Sequence, residues 1–386
     1  MVEVDVDDDI DDAYDEDVVV IIDNGSGMCK AGLSTEEAPS VVFPEIVGRP
    51  RKSWSSKLPK DFFVGDEAEE YQNRLAVSYP LENGIIENFT DMELIWEHTF
   101  ETLRVDTSRH PVLLTEPPYN PKPSRERMVE TMFETFNVPS LNISIQGVLA
   151  LLGQGRTTGL VLDSGEGVTH TIPIFDGFGM PMGINRLDLA GRELNTLLAK
   201  LLAASADGVC LTTTEEQRHC RIMKEKHCYV ALDPVAECAE TIQYRLPDGR
   251  EVALGDERWK CPEALFTPSL LGIESAGVAG IVWESISRCD IDTRRTLLQN
   301  VVLSGGSTMF TGFPERLARE LRTLAPTASQ ANIRVVQSVR QNYAVWNGAQ
   351  VYASLRSMQE DQWMTFEDYD EYGANLIHDK IAVKYN

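Results

Sequence analysis

Three short apolar runs, each closing on a glycine turn, punctuate the chain. Val18–Ile22 is continuously apolar, the pattern of a strand buried on both faces. It runs into Asp23-Asn24-Gly25-Ser26-Gly27, where Asn-Gly signals a hairpin. The same logic returns 140 residues later. Leu160-Val161-Leu162 enters Asp163-Ser164-Gly165-Glu166-Gly167, and Val168–Ile172 alternates like a returning strand. In the third run, Val301-Val302-Leu303 enters Ser304-Gly305-Gly306-Ser307-Thr308. Beyond it Phe313, Leu317, Leu321 and Leu324 are spaced as one face of a helix. Further helices are predicted over Asp91–Leu103, Ser124–Phe136, Gly191–Leu202, Thr214–Val230 and Gly272–Ser287. Interleaved strands and helices predict α/β architecture, and the repeated unit suggests two halves of a duplicated lobe. With 386 residues the chain exceeds what one core usually holds.

Composition narrows the class. Hydrophobic residues make up 42 % and charged ones 25 %, as in a soluble globular protein. No apolar run approaches the eighteen or so residues of a membrane span, and the acidic N-terminus does not suit a secretory or mitochondrial presequence. Seven scattered cysteines without a CxxC pair read as reduced thiols of cytosol or nucleus. His219-Cys220 and His227-Cys228 could share a helix face as a metal site, but buried or half-buried helix positions are the better reading. A net charge of −25 argues against nonspecific nucleic-acid binding. Residues 1–17 carry ten acids and no Lys or Arg, which leaves 50 acids against 35 bases elsewhere. Such a run repels itself and stays extended, as a solubilising tail or a docking arm for a basic partner.

The glycine turns carry the candidate chemistry. Phosphates need backbone N–H groups brought close, and glycine permits that approach. Two such turns facing each other could clamp a phosphate tail. Asp23 and Asp163 at their bases would then hold a hydrated Mg²⁺. Lys30 could return as a point charge, and Ser26 could donate a hydroxyl. Neither GxxxxGK[ST] nor GxGxxG after the first strand occurs, which excludes a P-loop and argues against a dinucleotide fold.

These residues belong to a longer ordered series: Asp23–Gly32, Val47-Gly48-Arg49-Pro50, Gly65-Asp66-Glu67-Ala68, Leu113-Leu114-Thr115-Glu116, Met132–Phe136, Gly155–Thr171, Arg186–Arg192, Cys261–Leu265 and Leu303–Met309. From about Val18 to His378 the chain resembles actin and its close relatives. The resemblance implies an α/β actin-like ATPase fold, with two duplicated lobes built on ribonuclease H-like cores around a nucleotide cleft. It implies ATP or ADP with Mg²⁺ or Ca²⁺ as cofactors. Asp23, Gly25, Ser26, Gly27, Met28 and Lys30 would hold phosphates from one side. Gly165, Glu166, Gly167 and Val168 would hold them from the other. Gln146, His170 and Asp163 would serve catalysis, Gln146 by orienting the attacking water. Lys224 and Glu225 would meet adenine and ribose, and Gly191, Gly305, Gly306, Ser307 and Met309 would line the nucleoside pocket. Asp23 and Asp163 would reach the metal through water.

The resemblance also implies an organisation. An acidic tail spans 1–17. Subdomain 1 takes 18–41, 80–153 and 345–386; subdomain 2 takes 42–79; subdomain 3 takes 154–189 and 274–344; subdomain 4 takes 190–273. The chain would cross between lobes near Gln146–Gly155 and Arg340–Trp346. Implied partners are further copies or conventional actin in filaments, and actin-binding proteins at a cleft near Leu152, Phe178, Val351 and Leu355. The implied setting is the cytoplasmic cytoskeleton, with axoneme or nucleus left open, and without membrane or direct nucleic-acid partners. A sugar kinase or chaperone on the same fold would need a substrate pocket or peptide domain that this chain does not suggest.

Several positions depart from the family pattern. Glu166 stands where most members have Asp, displacing the carboxylate by about 1 Å. Asn342 replaces a lysine near the base. The loop between Arg51 and Phe63 is shorter, more basic and has lost most of an apolar tip, although Trp54 could still anchor an interface. The stretch Phe266–Val278 follows the family's inter-strand plug, and Lys380–Asn386 differs from the usual end. The resemblance implies an ATP-binding cytoskeletal protein that assembles into or with filaments, with slow hydrolysis as a conformational timer. The altered loop, Glu166 and the acidic tail keep open a second role, a non-polymerising actin-related subunit of a larger assembly of dynein-arm, dynactin-like or chromatin-remodelling type.

Overall fold

The computed structural model describes residues 18–205, 208–338, 340–356 and 360–381. The acidic tail 1–17 and the end of the C-terminal segment past 381 lie outside the described residues.

Two mixed sheets dominate. The first is built from β1 (Val20–Asn24), β2 (Met28–Leu33), β3 (Val41–Pro44), β4 (Val112–Glu116) and β5 (Ser140–Ile145). Its order is β5-β4-β1-β2-β3, with Met364–Thr365 on the β5 edge. The second contains β6 (Gly159–Ser164), β7 (Thr169–Phe175) and β8 (Val301–Ser304), in the order β7-β6-β8, with Phe178–Gly179 and Val335–Val336 at its ends. The sheets repeat one plan. β1 pairs antiparallel with β2 through a hairpin and parallel with β4; β6 does the same with β7 and β8.

The continuous apolar runs follow from layering. Alternate residues of one strand enter different cores, so both faces must be apolar. Val20 and Ile22 enter one outer core, and Leu160, Leu162, Val301 and Leu303 enter the other. Ile21, Leu113, Val161 and Val302 all point into a third core between the sheets. Two helices fill that middle layer: α1 (Gln146–Leu152), which follows β5, and a C-terminal helix over Ala344–Ser354. Their backbones touch. A Cβ on Gly348 would stand 1.7 Å from the carbonyl oxygen of Leu149, and one on Gly153 would stand 2.9 Å from that of Ala344. Only glycine permits this crossing.

Two further helices flank the cleft between the sheets: α2 (Gly191–Ala204) and α3 (Thr214–His227). Thr213 caps α3, its hydroxyl accepting from Glu216 N–H while the Glu216 carboxylate returns to the Thr213 N–H. The helix over Phe313–Leu324 is found as expected. The one expected over Gly272–Ser287 begins only at Val278. Gly272 adopts φ +74°, and Gly277 passes so near Phe266 that a Cβ would lie 1.9 Å from its carbonyl oxygen; the intervening chain is non-helical and turns where Ser275 N–H donates to Ile273 O at 3.1 Å. The helix expected over Ser124–Phe136 starts at Lys122 and widens into a π-turn over Thr131–Thr135.

Among the described residues no group of His, Cys, Asp and Glu is arranged to hold a metal by itself. Cys220 and Cys228 are buried, and His219 bonds the Tyr244 hydroxyl at 2.8 Å. These are packing positions. No helix among the described residues is long and apolar enough to cross a membrane.

Candidate functional site

Both glycine hairpins leave the C-terminal ends of the central strands, β1 and β6. Ligand crevices of α/β sheets form at such ends. The hairpins meet tip to tip. A Cβ on Gly27 would stand 2.9 Å from Glu166 Cβ, and one on Gly167 would stand 2.9 Å from Ser26 Oγ. These two glycines set the separation, and any side chain there would force the hairpins apart. Ser26 Oγ also accepts the N–H of Gly84 at 2.8 Å.

Asp23 lies at the base of the first hairpin and is buried. Its register partner Lys30 places Nζ 3.0 Å from Oδ2. Burial works against the Lys30 charge, but the adjacent Asp23 carboxylate more than offsets it and its pKa rises. The other Asp23 oxygen accepts from the Thr115 hydroxyl at 2.8 Å. Gln146 opens α1, and its side-chain NH₂ donates to the Asn24 carbonyl (3.0 Å), with Thr115 Oγ1 at 3.3 Å and Asp23 Oδ1 at 3.5 Å. The amide is thereby oriented, and among the described residues its oxygen takes no protein donor.

Asp163 occupies the equivalent place on β6, opposite His170 on β7. It keeps some accessible surface, but surrounding protein atoms and then the Asp23 charge raise its carboxyl pKa. His170 is 2 % exposed, and its Nε2 has no partner among the described residues. Burial, with Arg186 adding to it, pushes its pKa down to about 3, so the ring is neutral.

The far wall comes from α2, α3 and the turn after β8. Gly191 N–H donates to Gly165 O (3.0 Å), Arg192 N–H to Glu166 O (2.8 Å), and Ser307 Oγ to Gly165 O (2.7 Å). Lys224 is 3 % exposed, and its Nζ donates to Gly191 O at 2.9 Å. Glu166 is held by Asn195 Nδ2 at 3.1 Å, with Lys224 Nζ at 3.8 Å. Gly305 has φ +82°, and a Cβ there would stand 2.2 Å from Ser164 O, so the position needs glycine on both counts. By contrast, Cβ atoms on Gly165 or Gly306 would meet nothing within 4 Å. Open space bordered by glycine backbone, two carboxylates and an unpartnered buried imidazole suits a phosphate chain with a hydrated divalent cation.

The structure therefore gathers Asp23, Gly25, Ser26, Gly27, Lys30, Gln146, Asp163, Gly165, Glu166, Gly167, Val168, His170, Gly191, Lys224, Gly305, Gly306 and Ser307 around one cleft. Three residues are more peripheral. Glu225 is exposed and paired with Arg221 at 3.2 Å, Met309 is 46 % exposed, and Met28 meets Arg221 through its sulfur at 3.9 Å. Sequence reading missed Asn195 and the cross-cleft contacts. Arg218 lies 3.4 Å from Glu69, and Arg192 sits over Tyr79 at 5.6 Å. No local spacing could reveal pairs more than a hundred residues apart.

The loop bearing Trp54 folds back on itself. Arg74 and Lys57 each lie 4.9 Å from the indole, which is half-buried between them. Elsewhere on the surface Phe178 and Val351 are 61 % and 39 % exposed. Tyr352 beside them is buried, with its hydroxyl donating to Gln362 Oε1 at 2.6 Å.

A family model described as Actin matches residues 14–382.

Proposed function

The chain belongs to the actin family, and from that premise we propose that it binds ATP in the cleft between its two glycine hairpins, hydrolyses it slowly, and assembles into or with filaments. The observation that supports this best is the tip-to-tip meeting of the hairpins, with Asp23 and Asp163 below them and open space at Gly165 and Gly306.

In this reading Asp23 and Asp163 hold the divalent cation, Mg²⁺ or Ca²⁺, through water. The ion would neutralise charge on the phosphates. Turn amides of 25–28 and 165–168 bind phosphate oxygens. Lys30, tied to Asp23 at 3.0 Å, contributes positive charge without leaving its partner. Gln146, its NH₂ fixed by Asn24 and Asp23, accepts from the attacking water through its oxygen. His170 stays neutral and orients that water by hydrogen bonding. Lys224, and Glu225 from the rim, contact the nucleoside, which Gly191, Ser307 and Met309 border. ATP- and ADP-bound forms would favour different closures of the lobes, and so different contacts with neighbours. We assign the subdomains to the segments given above, with crossings at α1 and at Arg340–Trp346.

Exposed Phe178 and Val351 support a partner-binding face, with Leu152 and Leu355 half-buried beside them. High-speed pelleting with Mg-ATP across a concentration series tests assembly. A sharp critical concentration supports filaments. Protein that carries ATP yet stays soluble at every concentration supports the second reading, a fixed subunit of a larger assembly. One observation favours that alternative: Trp54 is half-buried against Lys57 and Arg74 rather than projecting as an apolar tip.

A further inference from the structure

Behind the first glycine turn lies an acid that the cleft chemistry does not use. Glu45 follows β3 and donates its backbone N–H to the carbonyl of Gly27 at 3.2 Å, so it is fastened to the tip of the hairpin. Its side chain is 1 % exposed, and neither carboxyl oxygen has a hydrogen-bond partner among the described residues. Burying a carboxyl with both oxygens unsatisfied is strongly unfavourable, and folded proteins rarely keep such a group without a use for it. The groups facing it are few: Asp23 on β1, Cys29 and Lys30 on β2, and the backbone N–H of Gly25. Burial and then the Asp23 charge push the Glu45 pKa well above the ordinary carboxyl range; Lys30 and the Gly25 N–H act the other way, but that N–H does not reach hydrogen-bond geometry. Of the donors facing this orphaned acid, Lys30 is already paired with Asp23 at 3.0 Å, which leaves an amide of the turn that the nucleotide reading offers to phosphate. Gly25 and Gly27 on either side of Ser26 leave the backbone dihedrals of the turn sterically permissive.

We propose that Glu45 is a positioning residue that competes with the terminal phosphate of the nucleotide for the turn at 25–27. In one arrangement its carboxyl oxygen accepts the Gly25 N–H. In the other the turn faces the cleft, the phosphate takes the amide, and Glu45 is left unsatisfied, as in this structure. The diphosphate, lacking the terminal group, permits the first arrangement. Glu45 therefore lowers the preference for triphosphate over diphosphate and couples loss of the terminal phosphate to a backbone change. This inference rests on the nucleotide reading of the cleft.

The test is competitive displacement of a fluorescent ATP analogue by ATP and by ADP, both with Mg²⁺, from wild type, Glu45→Gln and Glu45→Met. Glu45→Met replaces the acid with an apolar chain of similar length. Should it not fold, Glu45→Ala, which also removes the acceptor, carries the test; Glu45→Gln keeps an acceptor oxygen for the Gly25 N–H and serves as the conservative control. The expected result is a rise of about tenfold in Kd(ADP)/Kd(ATP) for Glu45→Met, one hydrogen bond in size, with Glu45→Gln and Glu45→Asp staying nearer wild type. A merely structural role would move both affinities by one factor. An unchanged ratio in protein that binds nucleotide overturns the role of Glu45 and leaves the cleft reading standing. Wild-type protein that binds neither nucleotide overturns both.

Discussion

A single methyl group at Gly348 probes the layer that joins the two sheets. The added carbon would stand 1.7 Å from the carbonyl oxygen of Leu149 and 2.4 Å from its carbonyl carbon. Ordinary contact requires about 3.2 Å or more, so the helices must part by roughly 1.5 Å. The obstacle is backbone, which cannot swing aside as a side chain can. Overpacking of this kind costs about 3 kcal/mol, the upper end of its usual range. An unfolding entropy of about 2.1 cal/mol/K per residue gives a chain of this size about 0.8 kcal/mol/K, so Gly348→Ala should lower Tm by about 4 °C. The same displacement reaches the cleft, because α1 opens with Gln146, whose amide lies 3.0 Å from the Asn24 carbonyl. A shift of about 1 Å in a positioning group costs on the order of 100-fold in rate. Calorimetry and single-turnover phosphate release measure the two effects. Wild-type Tm with wild-type turnover would refute the glycine crossing and its link to the site.

Gln146→Ala removes the water-orienting oxygen but leaves the hairpins in place. Phosphate release should slow on the order of 100-fold while ATP affinity changes little, and equal rates would remove Gln146 from the mechanism. His170 makes stability pH-dependent. Burial holds its folded pKa at about 3, below the unfolded value of about 6.5, so the unfolded chain binds the extra proton. Its contribution is intact above pH 6.5 and is lost as pH falls toward 3, where it amounts to roughly 5 kcal/mol. Denaturant titrations should show His170→Gln losing less stability than wild type across that window; parallel losses would contradict this. Arg316→Ala strips the buried partner of Glu263, whose oxygens accept two bonds at 2.9 Å, and should cost about 3–5 kcal/mol by chemical denaturation. A loss below about 1 kcal/mol would mean that the pair is solvated.

What the sequence made legible follows from its local physics. Val18–Ile22, Leu160–Leu162 and Val301–Leu303 are apolar at every position because each strand serves two cores, and that shows in the residues themselves. The glycine turns were equally legible, since Gly27, Gly167 and Gly305 stand where a Cβ has no room. What stayed hidden depends on distant partners. Trp54 looked like a free anchor, but Arg74 and Lys57 enclose it. Val351 of the expected partner cleft is exposed, but its neighbour Tyr352 turns inward to Asn142 and Gln362. Glu225 and Lys224 are adjacent in sequence, yet helical geometry sends one to solvent and the other into the wall. The late start of the helix at Val278 reflects close passage of Gly277 against Phe266, which helical periodicity does not register.

The central claim is that the two hairpins clamp a nucleotide through a divalent cation. Calorimetric titration of nucleotide-free protein with ATP, in Mg²⁺ and again in EDTA, tests it most directly. The account predicts one ATP per chain, bound at least tenfold more tightly with Mg²⁺, and loss of that enhancement in Asp163→Ala. Absence of binding, or an affinity indifferent to Mg²⁺ and to Asp163, would contradict it.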